Sequence, residues 1–204
     1  MIETIESKLR IEWSPEQISG WLLYYREQLI SHESIYLHIW VDKQAGGDLY
    51  THLRRQAKKY GKGHSGALVT IVERVTKYTV SSRVNSKSAA DVTQATIALL
   101  LPFHDVAHTI TADNGKEFAY HEKISRALSA DVYFAHPYSS WERGLNENTN
   151  GLLRQYFPKN TDFKNVEQVE VRRALQRLNS RPRKDLDFKT PAQLMDDYRA
   201  ALAA

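Results

Sequence analysis

From residue 67 to residue 156 the hydrophobic pattern alternates between a two-residue and a roughly 3.6-residue period, and that alternation restricts the fold to the α/β class. Residues 67–74 and 77–84 are rich in β-branched side chains and are joined by Val75-Thr76, which predicts an antiparallel strand pair. A helix is predicted over 88–101, with Ala89, Val92, Ala95, Ile97 and Leu99 turned inward. A strand over 106–112 follows and stops at Asp113-Asn114-Gly115, a turn sequence. A helix over about 118–128, a strand over 131–135, a loop over 136–140 and a helix over about 141–156 complete the order.

The flanks read as helical. Ser14-Pro15-Glu16-Gln17 supplies an N-cap, a proline at the first helical position and a glutamine at the third. Ile18, Trp21, Leu22 and Tyr25 then recur at helical spacing. Ser31-His32-Glu33-Ser34 opens a second helix with Ile35, Ile39 and the adjacent Trp40 on its apolar side. Two short helices this close fit a helix-turn-helix, whose second helix would bring His32, Ser34, Tyr36 and His38 nearest to bases. An ordinary helical hairpin satisfies the same pattern. After Gly46-Gly47, residues 48–60 read as a basic helix.

Charge narrows the class of partner. The net charge is +4 over 204 residues, yet residues 1–60 hold eight basic and eight acidic side chains. Within them Arg54, Arg55, Lys58 and Lys59 form a run with no acid between Thr51 and Glu73. A second basic group is Arg172, Arg173, Arg177, Arg181, Arg183 and Lys184. Such clusters suit the phosphates of double-stranded DNA, although solvated helix faces look the same in sequence. Cysteine is absent, which removes disulfides, thiolate metal sites and cysteine nucleophiles together. The longest apolar stretch, 96–103, is too short to span a bilayer, and residues 1–8 lack the pattern of a signal peptide. The expected location is therefore the cytoplasm, with no membrane contact.

Asp113 falls at the carboxyl end of its predicted strand, where α/β sheets place their ligands. Glu147 lies on the last helix of the alternating region, with 33 residues between it and Asp113. There Glu147, Asn150, Gly151 and Arg154 share one face. Two converging carboxylates offer hard oxygen ligands to Mg²⁺ or Mn²⁺, and an arginine beside them could hold a DNA phosphate. A turn aspartate and a surface glutamate would give the same spacing.

Several long motifs resemble the bacterial insertion-sequence-thirty-type transposases. They are Gly61-Lys-Gly-His-Ser-Gly66 with the strand after it, Thr109-Ile-Thr-Ala-Asp-Asn-Gly115 and His136-Pro-Tyr-Ser-Ser-Trp141, the last continuing to Pro158. Asn179-Ser-Arg-Pro-Arg-Lys184 and Thr190-Pro-Ala-Gln-Leu194 resemble the closing segment, and Trp13–Gly20 with Ile30–Tyr36 the helix-turn-helix. The resemblance implies a ribonuclease-H-like integrase core of the DDE class over 61–204, preceded by a helix-turn-helix region with its basic helix over 1–60. It implies an enzyme that cuts insertion-sequence ends and transfers the freed 3′-hydroxyl strands into target DNA. Its implied partners are inverted repeats, target DNA and further copies of itself, at the bacterial nucleoid.

Carried over by position, Asp113 matches the second acid, Glu147 the third and Arg154 the basic residue on the glutamate helix. The first acid lies in the family on a first strand just before the Gly-Lys-Gly-His turn. Here Gln56-Ala-Lys-Lys-Tyr60 holds that place without a carboxylate, so the first strand is missing and any Mg²⁺ or Mn²⁺ is held weakly. Asp48 and Glu73 are the nearest replacements in sequence. The alternative is a catalytically dead DNA-binding remnant.

Overall fold

The computed structural model describes residues 1–53, 66–136, 144–159 and 161–203. The chain divides into two compact units. One joins Met1–Lys58 to Arg177–Ala204, and the other is Lys59–Gln176. The segment 177–204, expected to close the α/β core, therefore groups with the N-terminal helices.

In the helical unit, α1 (Ile2–Arg10), α2 (Pro15–Arg26) and α3 (His32–Gln44) enclose Ile5, Leu9, Trp13, Ile18, Leu22, Ile35, Ile39 and Leu49. Each of these is at most 5% exposed. Each such side chain contributes roughly 1.5–3 kcal/mol on removal from water. The caps are those the sequence predicts. Ser14 and Gln17 form a reciprocal capping box, and the Ser31 hydroxyl accepts from the Ser34 amide at 3.2 Å. The Ser19 hydroxyl donates to the Ile30 carbonyl at 2.7 Å and so fixes the turn between α2 and α3. Of the basic helix expected over 48–60, Leu49–His52 forms a 3₁₀ turn, and 54–60 lie outside the described residues.

The C-terminal segment seals this unit. Glu12 accepts from Arg177 and, at 2.8 Å, from Arg181, whose side chain is 1% exposed. The Gln17 amide donates to the Pro182 carbonyl at 2.8 Å, and the Phe188 ring lies where a Cβ on Gly20 would sit. α8 (Pro191–Ala203) ends the chain.

The α/β unit holds two separate two-stranded sheets. β1 (Ala67–Val72) pairs antiparallel with β2 (Thr79–Val84), with Ala67 opposite Val84 and Val72 opposite Thr79. β3 (Thr109–Ala112) pairs parallel with β4 (Asp131–Phe134), from Thr109 opposite Asp131 to Ala112 opposite Phe134. Between the two sheets in chain order run α4 (Ala89–Leu100), capped by Ser88, and after β3 comes α5 (His121–Leu128). Among the described residues no strand joins β1 to β3. Both pairs nonetheless rest on one apolar cluster. Ile71 of β1 and Ile110 of β3 pack against Leu100, Ile124, Leu128 and Ala130. The Arg74 guanidinium, just past β1, donates to the Thr111 hydroxyl of β3 at 3.0 Å.

α6 (Gly144–Leu153) lies against β1 with Thr149 and Leu153 buried, and α7 (Gln168–Asn179) follows. The outer side of β2 is held by the segment before α7, where the Arg83 amide donates to the Gln168 side chain and its guanidinium to the Lys164 and Val166 carbonyls. β3 is shorter than expected, because residues 101–103 form a 3₁₀ turn rather than running directly into the strand. On α4 the buried positions include Thr93 and Thr96 as well as Val92 and Leu100, so hydroxyl-bearing residues share the inward face. No described helix is long and apolar enough to cross a membrane.

Candidate functional site

Asp113 follows the last residue of β3, and two local bonds set its place. Its carboxylate accepts from the Gly115 amide at 3.2 Å, closing the turn that Asp-Asn-Gly favours. The Asn114 side chain donates to the Ala135 carbonyl at 2.8 Å and so ties the end of β3 to the end of β4. Glu117 folds its carboxylate over Gly115, the space a Cβ would take. Asn114 and Glu117 are thus neighbours that sequence spacing alone leaves out, though the Asp-Asn-Gly turn was the signal for the first of them.

Glu147 sits in the first turn of α6, where a negative charge is favoured by the helix dipole. Glu147, Gly151 and Arg154 are exposed and Asn150 half-exposed, whereas Thr149 and Leu153 are buried. The shared polar face read from spacing is therefore the solvent face of the helix. Among the described residues no three histidine or carboxylate side chains gather closely enough to hold a metal ion. Asp113 and Glu147 are donors of the kind a hard cation takes, but two fall short of three.

Neither sequence candidate makes up the difference. Glu73 is spent on the β1–β2 turn, accepting from the Val75 and Thr76 amides and the Thr76 hydroxyl. Burial alone would raise its pKa, but these hydrogen bonds outweigh it and hold the carboxyl below its ordinary value. Asp48 belongs to the helical unit, where Arg10 pairs with it at 3.0 Å. The Arg10 hydrogen bond holds its carboxyl below the usual range.

The helix-turn-helix candidates separate by orientation. Ser34 and Tyr36 are exposed on α3 and His32 is half-exposed. The Tyr36 hydroxyl reaches Glu16 at 3.5 Å, and the His32 ring meets Tyr36 edge-on at 6.5 Å. His38 turns the other way, toward α1, where its Nε2 lies 3.0 Å from Glu6. The outward face carries Leu37, Trp40 and Val41 instead, each more than half exposed. Trp40, expected on the apolar side of this helix, is thus turned outward, because Ile35 and Ile39 alone fill its core-facing positions among the residues of α3. Arg54, Arg55, Lys58 and Lys59 lie outside the described residues.

The second basic group divides, with Arg181 buried, Arg183 half-buried and Arg172, Arg173, Arg177 and Lys184 exposed. Arg177 and Arg181 are taken by Glu12, and burial lowers the pKa of Arg183. Arg172 and Arg173 stay exposed on α7.

No family model matches the chain. It is similar to the transposase for insertion sequence element IS4351 of Bacteroides fragilis, at 38% identity over 232 residues, covering 94% of this chain and 71% of that protein. It is also similar to the transposase InsI for insertion sequence element IS30A of Escherichia coli strain K12, at 34% identity over 239 residues, covering 93% of this chain and 62% of that one. Both alignments are longer than the 204 residues of this chain, so each relative carries residues within the aligned span that are absent here. Among solved structures, the catalytic core domain of BIV integrase superposes with a TM-score of 0.54 at 18% identity, covering 70% of this chain and 94% of that one. The fold is thus that of an integrase core, of the ribonuclease-H-like type.

Proposed function

Because the chain belongs to the family of insertion-sequence transposases, we propose that it acts on double-stranded DNA as a DDE-type transposase. Its α2–α3 pair would recognise the inverted repeats at insertion-sequence ends. The ends of β3 and α6 would carry the cutting of those ends and the transfer of their 3′-hydroxyl strands into target DNA. Homo-oligomers in the bacterial cytoplasm, at the nucleoid, are the working form this reading implies.

The observation that supports it best is the pairing of a pinned strand-end aspartate with a solvent-facing helical glutamate on an integrase-type fold. A divalent cation, Mg²⁺ or Mn²⁺, supplies Lewis-acid chemistry in this class of enzyme. Asp113 and Glu147 would hold it, with water filling more of its shell than three carboxylates would leave. The Asn114 bridge keeps the Asp113 backbone from swinging when DNA enters. Arg154, seven residues beyond Glu147 on the same exposed face, would hold a DNA phosphate alongside.

The test is incubation of the full chain with end-labelled insertion-sequence-end duplexes in Mg²⁺ or Mn²⁺. Slow cleavage that disappears in both Asp113→Asn and Glu147→Gln supports the enzymatic reading. Cleavage that survives both substitutions overturns the site assignment. Tight, selective binding with no cleavage in either metal would confine the chain to recognition.

A further inference from the structure

Among the described residues some cations meet carboxylates, some meet hydroxyls or carbonyls, and some lie over aromatic rings. Arg10, Arg126, Arg177, Arg181 and Lys189 each sit against a carboxylate. Lys8 and Arg26 have no carboxylate within ion-pair distance among the described residues, and both are mounted on aromatic rings. The Lys8 ammonium lies 4.5 Å from the centre of the Trp13 ring and 4.8 Å from that of Trp21. The two indoles meet edge to face at 5.7 Å, forming a notch for it. The Arg26 guanidinium lies over the same Trp21 ring at 5.8 Å.

One indole therefore holds two like charges. A ring quadrupole attracts each cation, but at exposed sites that attraction is only about 0.5–1 kcal/mol, and it does nothing to relieve their mutual repulsion. Burial first, and then the Arg26 charge, lower the Lys8 pKa from its ordinary value. An anion placed between the two would relieve both costs. The aromatic surface also continues past the cations. Tyr25 stacks on Trp21 at 6.0 Å and Tyr24 meets Tyr25 at 4.9 Å, the two tyrosines being 39% and 55% exposed. Paired cations beside phenol hydroxyls are groups that contact DNA phosphates.

We propose that Lys8 and Arg26, mounted on Trp21 and flanked by Tyr24 and Tyr25, form a phosphate clamp that seats the backbone of double-stranded DNA along α1 and α2. The clamp rests on the DNA-acting reading above and adds to it the surface that fixes orientation on the duplex. It carries no sequence information itself, so it strengthens binding to matched and unrelated duplexes alike.

The experiment measures duplex binding by the full chain across a salt series, for wild type, Lys8→Gln, Arg26→Gln and Lys8→Arg. Each lost phosphate contact lowers the log–log salt slope by about 0.9. Lys8→Gln and Arg26→Gln are expected to lower the slope by that amount on insertion-sequence ends and on unrelated DNA alike, and Lys8→Arg to preserve it. Arg26 is exposed, so its substitution leaves the fold intact even if Lys8→Gln loosens the Trp13–Trp21 notch. A wild-type slope in Arg26→Gln overturns the clamp while leaving the DNA reading in place. The same holds if the slope is unchanged and the substitutions instead dissolve a self-associated form. No duplex binding by wild type overturns both.

Discussion

The helical unit and the α/β unit differ in how completely they are closed. In the first, eight apolar side chains form one cluster, the helix starts of α2 and α3 carry hydroxyl caps, and a segment more than 160 residues away in sequence locks onto Glu12 and Gln17. In the second, the described clusters include one around Leu100, Ile124, Leu128 and Ala130 and one around Val69, Val84 and Val92, each smaller than that of the helical unit. Its strands form two pairs with no described strand between β1 and β3. The helical unit is thus tied together by its own distant segment, whereas among the described residues of the α/β unit no strand lies between β1 and β3 and no three carboxylate or histidine side chains gather.

The largest expected effect is on the closure of the helical unit. Removing the carboxylate in Glu12→Ala leaves Arg181 buried beside Arg177, and breaking such a buried pair costs about 3–5 kcal/mol. Thermal unfolding should show it, and a shift within error would mean that the C-terminal segment does not close the unit. Leu9→Ala is next, because the side chain is fully enclosed, with an expected loss of about 2–5 kcal/mol in denaturant titration. A smaller loss than for Leu128→Ala in the α/β unit would reverse the comparison. Ser14→Ala removes the capping box and is expected to cost about 1 kcal/mol by the same measurement.

The smallest effect is on pH dependence. The Glu73 pKa is lowered in the folded chain, so its contribution is fully present above the ordinary glutamate range and is lost as pH falls through the folded value. Glu73→Gln should therefore flatten the acid limb of the stability curve below about pH 4.3, the unperturbed glutamate pKa. An identical acid limb in the variant would mean that the turn does not depend on the charge.

Local chemistry was legible in the sequence and distant chemistry was not. Ser14 caps α2 and Ser31 opens α3 as their neighbours predict, and the strand pair across Val75-Thr76 forms as expected. Asp113 ends its strand because Asp-Asn-Gly favours a turn. The role of Arg177 and Arg181 could not be read, because their partner Glu12 is 165 and 169 positions away. A run of arginines looks the same in sequence whether it meets solvent or a buried carboxylate. His38 was placed near bases from helical position, yet the presence of α1 on that side gives it Glu6 instead. The strand expected from residue 106 starts at Thr109 because a 3₁₀ turn follows α4 directly.

The central proposal is that the helical unit of this chain recognises insertion-sequence DNA. The most direct measurement is a competition gel shift, with the full chain on a labelled insertion-sequence end challenged by the same end or by a scrambled duplex at near-physiological salt. Specific recognition typically exceeds non-specific binding by about 10³-fold or more. The account predicts displacement by the matched competitor at a concentration at least 100-fold lower than by the scrambled one. Equal displacement by both, or no shift at all, would contradict it.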